Sequence, residues 1–150
     1  MGFVTRNTYY FDSPGAENTH DAAHFAVERA QELGIKKIVV ASTTGRTALL
    51  FRDAMKGTGL ELIVVTHVVG FSKPGEWEFS PEAAAALRAD GVKIVTGTHA
   101  LSGLERAISR SQRLGGSSRT EAIAEALRRI VAVGLKVAVE CVLIAADQGV

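Results

Sequence analysis

The chain has 150 residues, 47% of them hydrophobic, which is enough for one compact domain with a real core. Lys and Arg number 17 against 16 Asp and Glu, a formal charge of +1 with no basic stretch, so no nucleic-acid partner is expected. The apolar runs fall far short of the ~20 residues that span a bilayer, and "MGFVTRNTYY" lacks the apolar centre of a signal peptide; a soluble cytoplasmic protein with no membrane partner is expected.

In chain order, Pro14 and Gly15 mark a turn, and Asn18 or Thr19 is placed to cap a helix. In "DAAHFAVERAQEL" the residues Ala23, Ala26, Val27, Ala30 and Leu33 recur at helical spacing, and Gly34 is placed to end the helix in a left-handed conformation. The β-branched run "KKIVVAS" reads as a strand buried on both faces, as in a parallel sheet. The cycle then repeats. "GRTALLFRDAMKG" predicts a helix closed by Gly57, "LELIVVTHVV" a second strand, "SPEAAAALRADG" a helix with Ser80 as cap and Pro81 at its first position, and "VKIVTG" a third strand.

Beyond Gly97 the pattern changes to two successive helices, "ALSGLERAISRSQRLGG" and "SRTEAIAEALRRIVAVG", joined through Gly115 and Gly116. Ser118 followed by Glu121 fits a capping box. The closing segment "LKVAVECVLIAADQG" suits a buried helix or a buried strand by period; its length favours a helix that stops at Gly149. Its lone Cys141 reads as a small buried hydrophobe. No repeat or linker divides the chain, so one α/β domain is expected over 1–150, three-layered with a mostly parallel sheet.

In an open parallel sheet, ligands bind beyond the carboxyl ends of the strands, where helix N-termini present free N–H groups. The stretch "STTGRT" falls at such a place. Ser42, Thr43, Thr44 and Thr47 offer hydroxyls, Gly45 permits close backbone approach, and Arg46 can neutralise a phosphate with its forked guanidinium. The bland alternative is that these are ordinary capping and turn residues. Neither a Walker sequence nor a G-x-G-x-x-G fingerprint is present.

The second strand ends in Thr66 and His67 and leads into "THVVGFSKPGEWEFSPE", where Gly70, Pro74 and Gly75 shape a loop. Phe71, Trp77 and Phe79 in that loop either wall a flat ring or pack on the core, with core packing favoured for Trp77. The third strand delivers Thr96, Thr98 and His99 to the same rim. His67 and His99 are candidate general bases, with Glu76, Glu78 and Asp147 as acids or orienting groups. His20 and His24, four apart on a helix, read as surface residues, and no metal-ligand set is found.

The blocks "PGAENTHDAAHFAVERAQELGIKKIVVAS", "THVVGFSKPGEWEF" and "TGTHALSGLERA" resemble the stand-alone pyruvate kinase C-terminal-like α/β proteins of archaea and bacteria over almost the whole chain. "IKKIVVASTTGRTALLF" also resembles the phosphate-holding turn of the C-terminal domain of pyruvate kinase itself. The resemblance implies an α/β/α domain without the kinase barrel. Some members of the family are associated with FMN, which would place a phosphate at Ser42 to Thr47 and an isoalloxazine ring near His67, Gly70, Phe71, Thr98 and His99. Two departures stand out. The family continues past "AADQG" into a further glycine-rich strand region, so its last strands are expected to be absent and the ligand site more open; and Ser118 and Arg119 replace an aromatic-proline pair.

The expected function is therefore recognition of a phosphate-bearing ligand, FMN first, with Arg46 contributing most to affinity. Two alternatives are an assembly or regulatory module that binds a sugar phosphate and pairs with itself, using the alanine-rich face of "EAAAALRA" and the closing apolar segment, and an FMN-dependent oxidoreductase.

Overall fold

The computed structural model describes all residues except Met1, Gly115 and Ser117; the Gly115 half of the expected helix connection lies outside the described residues. Three strands, β1 (Lys37–Ala41), β2 (Glu61–Thr66) and β3 (Lys93–Thr96), form a parallel sheet in the order β1-β2-β3. Helices α1 (Thr19–Glu32), α2 (Arg46–Ala54) and α3 (Pro81–Ala89) precede or separate the strands, and α4 (Leu104–Ser109), α5 (Arg119–Ile130) and α6 (Val133–Asp147) follow them.

The period-two alternation of strand side chains divides the core into two layers. Val40, Leu62 and Val64 face Val27 of α1, Ala48 of α2 and Ala83, Ala84 and Leu87 of α3. Ile63, Val65 and Val95 face the other way, against Cys141, Ile144 and Ala145 of α6. The result is an α/β/α sandwich. Only the central strand is buried on both faces. The edge strand β1 leaves Lys37 and Ala41 exposed, so the expectation of burial on both faces holds fully for β2 alone.

Several boundaries differ from the sequence reading. Neither Asn18 nor Thr19 caps α1 by accepting a bond. Asn18 Nδ2 donates to Ser13 O at 2.7 Å and Thr19 Oγ1 to Ala16 O at 2.8 Å, so both side chains tie down a 3-10 turn at Ala16–Asn18. Leu33 is 47% exposed, which leaves Ala23, Val27 and Ala30 as the buried face of α1. Helix α4 is a six-residue remnant of the longer helix expected there. Ser109 Oγ turns back to Glu105 O at 2.9 Å and Ser111 Oγ accepts from Arg113 N at 3.3 Å, local bonds that compete with continued helix. Gly134 does not separate α5 from α6. Val131 and Ala132 leave the helical region instead, and Gly134 sits in the first turn of α6. Ser118 Oγ does cap α5, accepting from Glu121 N at 3.1 Å.

Ala83, Ala84 and Leu87 of α3 pack into the first core layer, while Ala85 and Ala89 are exposed and Ala86 is half-buried. Ser80 caps that helix as expected, accepting from Ala83 N at 3.1 Å, with Pro81 following. Helix α6 is apolar on nearly all sides, and Val142 and Leu143 remain exposed.

Candidate functional site

The three strands end on one rim. There, Ser42 and Thr43 after β1, Thr66 and His67 at the end of β2, and His99 after β3 line a single cavity of about 400 Å³, closed on its far side by α6. The structure thus brings together six of the residues singled out from sequence, Phe71 being the sixth.

The hydroxyls at the rim have identifiable partners. Ser42, 6% exposed, accepts from Gly45 N at 3.1 Å and Ala48 N at 3.4 Å, and so caps the N-terminus of α2. Thr66 Oγ1 donates to His67 O at 2.9 Å; having spent its one proton, it accepts from Thr96 Oγ1 at 2.7 Å and from Trp77 Nε1 at 3.1 Å. These bonds lock β2, β3 and the long loop to one another. Trp77 also stacks on the buried Phe79, with centroids 5.2 Å apart, so both rings pack on the core and Phe71 alone stays at the cavity.

Gly45 holds α2 against α3. Its φ is 98°, and a Cβ there would lie 2.6 Å from Ala83 Cβ. Arg46 and Thr44 are exposed at the start of α2 and Thr47 is partly so. Among the described residues the N–H groups of Arg46 and Thr47 meet no acceptor, as expected of a first helical turn. Thr44 O receives Ser80 N at 3.1 Å, which anchors the turn from behind. Thr44 to Thr47 adjoin the cavity in sequence but do not line it.

The loop after β2 folds back on itself. Gly70, at φ 85°, donates its N–H to Glu76 O at 2.9 Å. Within the loop, Glu78 Oε2 lies 2.9 Å from His67 Nδ1, and Ser72 Oγ donates to Glu78 Oε1 at 2.7 Å. These two bonds, Ser72 first, hold the Glu78 carboxyl below its ordinary pKa. The Phe71 ring lies over His67 at 4.1 Å between centroids, and the His99 ring is 5.8 Å from His67. Burial keeps the His99 pKa below its ordinary 6.5, with the Glu140 charge acting the other way and Lys136, His67 and Arg106 adding to the depression.

Sequence reasoning missed the far wall. Lys136 and Glu140 of α6, 4% and 5% exposed, form a buried ion pair at the cavity. Lys136 Nζ also donates to Ser102 Oγ at 3.0 Å, while Glu140 Oε1 accepts from Leu101 N at 2.8 Å and Ser102 Oγ at 3.1 Å. The network pins the loop that carries His99 onto α6. The available signal was a lysine and a glutamate four apart inside "LKVAVECVLIAA", the spacing of a helical pair in a run otherwise apolar. Arg106 of α4 is half-buried in the same wall, and among the described residues it forms no ion pair. Nothing in the sequence distinguished it.

Other candidates lie elsewhere. Thr98 and Asp147 line a neighbouring cavity beside Leu104 and Leu143, and Glu76 pairs with Lys73 at 3.4 Å on the surface. His20 and His24 are exposed, and no group of three or more metal-ligating side chains exists among the described residues. Cys141 is buried and its thiol pKa is raised by that burial, the behaviour of a small core residue that touches the cavity. No described helix is long and apolar enough to cross a membrane.

A parallel sheet with helices on both faces and polar side chains gathered at its carboxyl rim defines an open α/β domain. Residues 20–150 match the profile of a family described as "Pyruvate kinase, alpha/beta domain", and the chain belongs to that family.

Proposed function

We propose that the protein binds a phosphate-bearing small molecule at the carboxyl rim, with the phosphate on the N-terminus of α2 and the remainder in the adjoining cavity. The observation that carries the reading is the start of α2, where Arg46 is exposed and the N–H groups of Arg46 and Thr47 have no acceptor among the described residues, close in sequence to Ser42 and Thr43, which line the cavity. A volume of about 400 Å³ lies within the range of small-molecule sites, roughly 300 to 1,000 Å³.

FMN is the first candidate and a sugar phosphate effector the second. The donor set suits the two ends of FMN: Arg46 and the Arg46 and Thr47 N–H groups for the phosphate, and the half-exposed Phe71 with His67 and His99 for a flat ring. Bound FMN would supply electron-transfer chemistry at its ring. The chain's own residues would hold and shield it.

An absorbance spectrum from about 300 to 550 nm of gently purified protein, followed by native mass spectrometry and titration with FMN and with fructose bisphosphate, tests the reading. Flavin bands with a matching mass support FMN; saturable binding of the sugar phosphate alone supports the second candidate. Binding of neither ligand overturns the phosphate assignment.

A second reading, pairing with another copy, is favoured by the exposed apolar side chains of α5 and α6, where Ile123, Ile130, Val142 and Leu143 are between 45% and 79% exposed. Sedimentation at tens of micromolar tests it, and a strict monomer removes it.

A further inference from the structure

We propose that His67, positioned by Glu78, is the proton acceptor of an acid–base reaction at the rim, and that the substrate is a small phosphorylated hydroxy-carbonyl compound. The inference rests on the phosphate reading above and takes the sugar-phosphate class in preference to FMN.

The geometry begins with a carboxylate fixed at both oxygens. Glu78 Oε2 meets His67 Nδ1 at 2.9 Å while Oε1 receives Ser72 Oγ at 2.7 Å, and the loop holding all three is closed by the Gly70 to Glu76 backbone bond. An ionised carboxylate at Nδ1 keeps a proton on that nitrogen. The lone pair of the neutral ring then resides on Nε2, which has no partner among the described residues. Phe71 covers the ring and restrains its rotation. His67 lines the cavity beside Ser42, Thr43 and His99. An imidazole that lines a cavity, with one nitrogen held by a carboxylate and the other without a partner among the described residues, has the arrangement of a general base. A loop serving only to pack the core would have no use for it, since Trp77 and Phe79 already do that work.

The opposite requirement, a group to receive developing negative charge, is met in the same cavity. Arg106 is half-buried there with no ion pair among the described residues, and His99 is kept neutral by burial and remains a hydrogen-bond donor. In the proposed step the electron pair left by proton removal from carbon is taken up by a neighbouring carbonyl, and a hydroxyl on the reacting carbon lets the proton return at the neighbour, which is why a hydroxy-carbonyl compound is the class proposed. In the step, the bond between carbon and hydrogen next to the carbonyl breaks and a bond between hydrogen and Nε2 forms. The electron pair passes into an enolate whose oxygen faces Arg106. Return of a proton to the same carbon regenerates the substrate with a solvent hydrogen. Return to the neighbouring carbon, with the hydroxyl proton passing to the former carbonyl oxygen, gives the isomer. No external oxidant, reductant or co-reactant is consumed.

The test uses dihydroxyacetone phosphate in deuterium oxide, with proton NMR following loss of its carbon-bound hydrogens, and calorimetric titration of the same compound in parallel. The native chain should exchange roughly 100-fold or more faster than buffer. His67→Asn, purified identically, should fall to the buffer rate. Glu78→Gln should bind unchanged, exchange at least about tenfold more slowly, and move the acid limb of the pH–rate profile, which a merely structural loss would leave in place. Circular dichroism verifies that both variants are folded, and Glu78→Gln carries the test if His67→Asn is not. Binding of dihydroxyacetone phosphate without exchange, or binding of FMN alone, overturns the inference and leaves the phosphate reading standing. Exchange that persists in His67→Asn also overturns it. Failure to bind either phosphate compound overturns the phosphate reading itself.

Discussion

Lys136 Nζ lies 3.0 Å from Ser102 Oγ, and the same ammonium is paired with Glu140 one helical turn away. Two charges removed from water stabilise only through each other, so deleting one leaves the other buried and uncompensated. Lys136→Met should destabilise the fold by about 3 kcal/mol, the lower end for such a pair because Leu101 N–H and Ser102 still hydrogen-bond the remaining Glu140 carboxylate. Adding Glu140→Gln should restore most of that loss. Urea unfolding of the single and double variants provides the measurement; equal losses in both would mean that packing, and not the unpaired charge, sets the cost.

Gly45 is required for a different reason. Its φ of 98° is unfavourable for any residue with a Cβ, and that Cβ would also sit 2.6 Å from Ala83. Gly45→Ala should cost about 1 to 3 kcal/mol from backbone strain alone, with the clash added. Gly34 offers the control. It has φ 66° with open space around it, so Gly34→Ala should carry only the conformational cost, roughly 1 kcal/mol. Denaturation curves that show the two variants to be equal would remove the role of the α2–α3 contact.

The sheet was legible because its signals are local. "KKIVVAS", "LELIVVTHVV" and "VKIVTG" are β-branched runs set among glycine-closed helices, although the second stops at Thr66 and the third at Thr96; the helices after the first two are written in their spacing, whereas the one after the third is only six residues long. Helix α6 was legible by length, despite an apolar pattern that fits either state. What failed were boundaries set by competition. The second helix expected after Gly97 runs to Gly134 by its sequence pattern, yet the helical path breaks earlier, at Val131 and Ala132, and α6 begins at Val133, one turn before Lys136, which donates to Ser102. The site divides along the same line. Residues at or within a few positions of a strand's carboxyl end, Thr66, His67 and His99 among them, are found at the rim because topology puts strand exits together. The four-residue spacing of Lys136 and Glu140 marks a helical pair, but that the pair faces the cavity, and that Arg106 joins it there, depends on long-range packing that local spacing does not encode.

Stability should fall with acid in two stages. His99 is held below its ordinary 6.5 by burial, so the folded state binds a proton there less readily than the unfolded chain. Its contribution is full above about pH 6.5 and is lost as pH falls through the depressed value. For Glu140, burial alone would raise the pKa, but the Lys136 hydrogen bond, the Leu101 N–H, the Lys136 charge and Ser102 together outweigh it and hold the carboxyl low. That contribution has the same sign, complete above about pH 4.5 and lost below it. Urea midpoints from about pH 8 to 3 should therefore show two declines. His99→Gln should remove the upper one, and the double variant at Lys136 and Glu140 should blunt the lower. A profile of His99→Gln that keeps the upper decline would transfer it to another histidine.

The two arginines of the site make separable contributions. Arg46 is exposed and makes no ion pair among the described residues, so replacing it should leave the fold unaffected. A phosphate on the α2 N-terminus would lose a charge-assisted bond, and Arg46→Ala should weaken FMN or sugar-phosphate binding by about 1.5 to 3 kcal/mol, roughly ten- to a hundredfold. Inorganic phosphate should lose affinity by a similar factor, because it retains the end of the ligand that Arg46 contacts. Arg106→Ala should instead spare inorganic phosphate and weaken the larger ligands, since Arg106 lines the cavity that only their remainder enters. Calorimetric titration of inorganic phosphate against both variants distinguishes the roles. Equal sensitivity to Arg106 would move the phosphate from the helix terminus into the cavity, beside Lys136 and Ser102, and unchanged affinity in Arg46→Ala would exclude the α2 N-terminus as its seat.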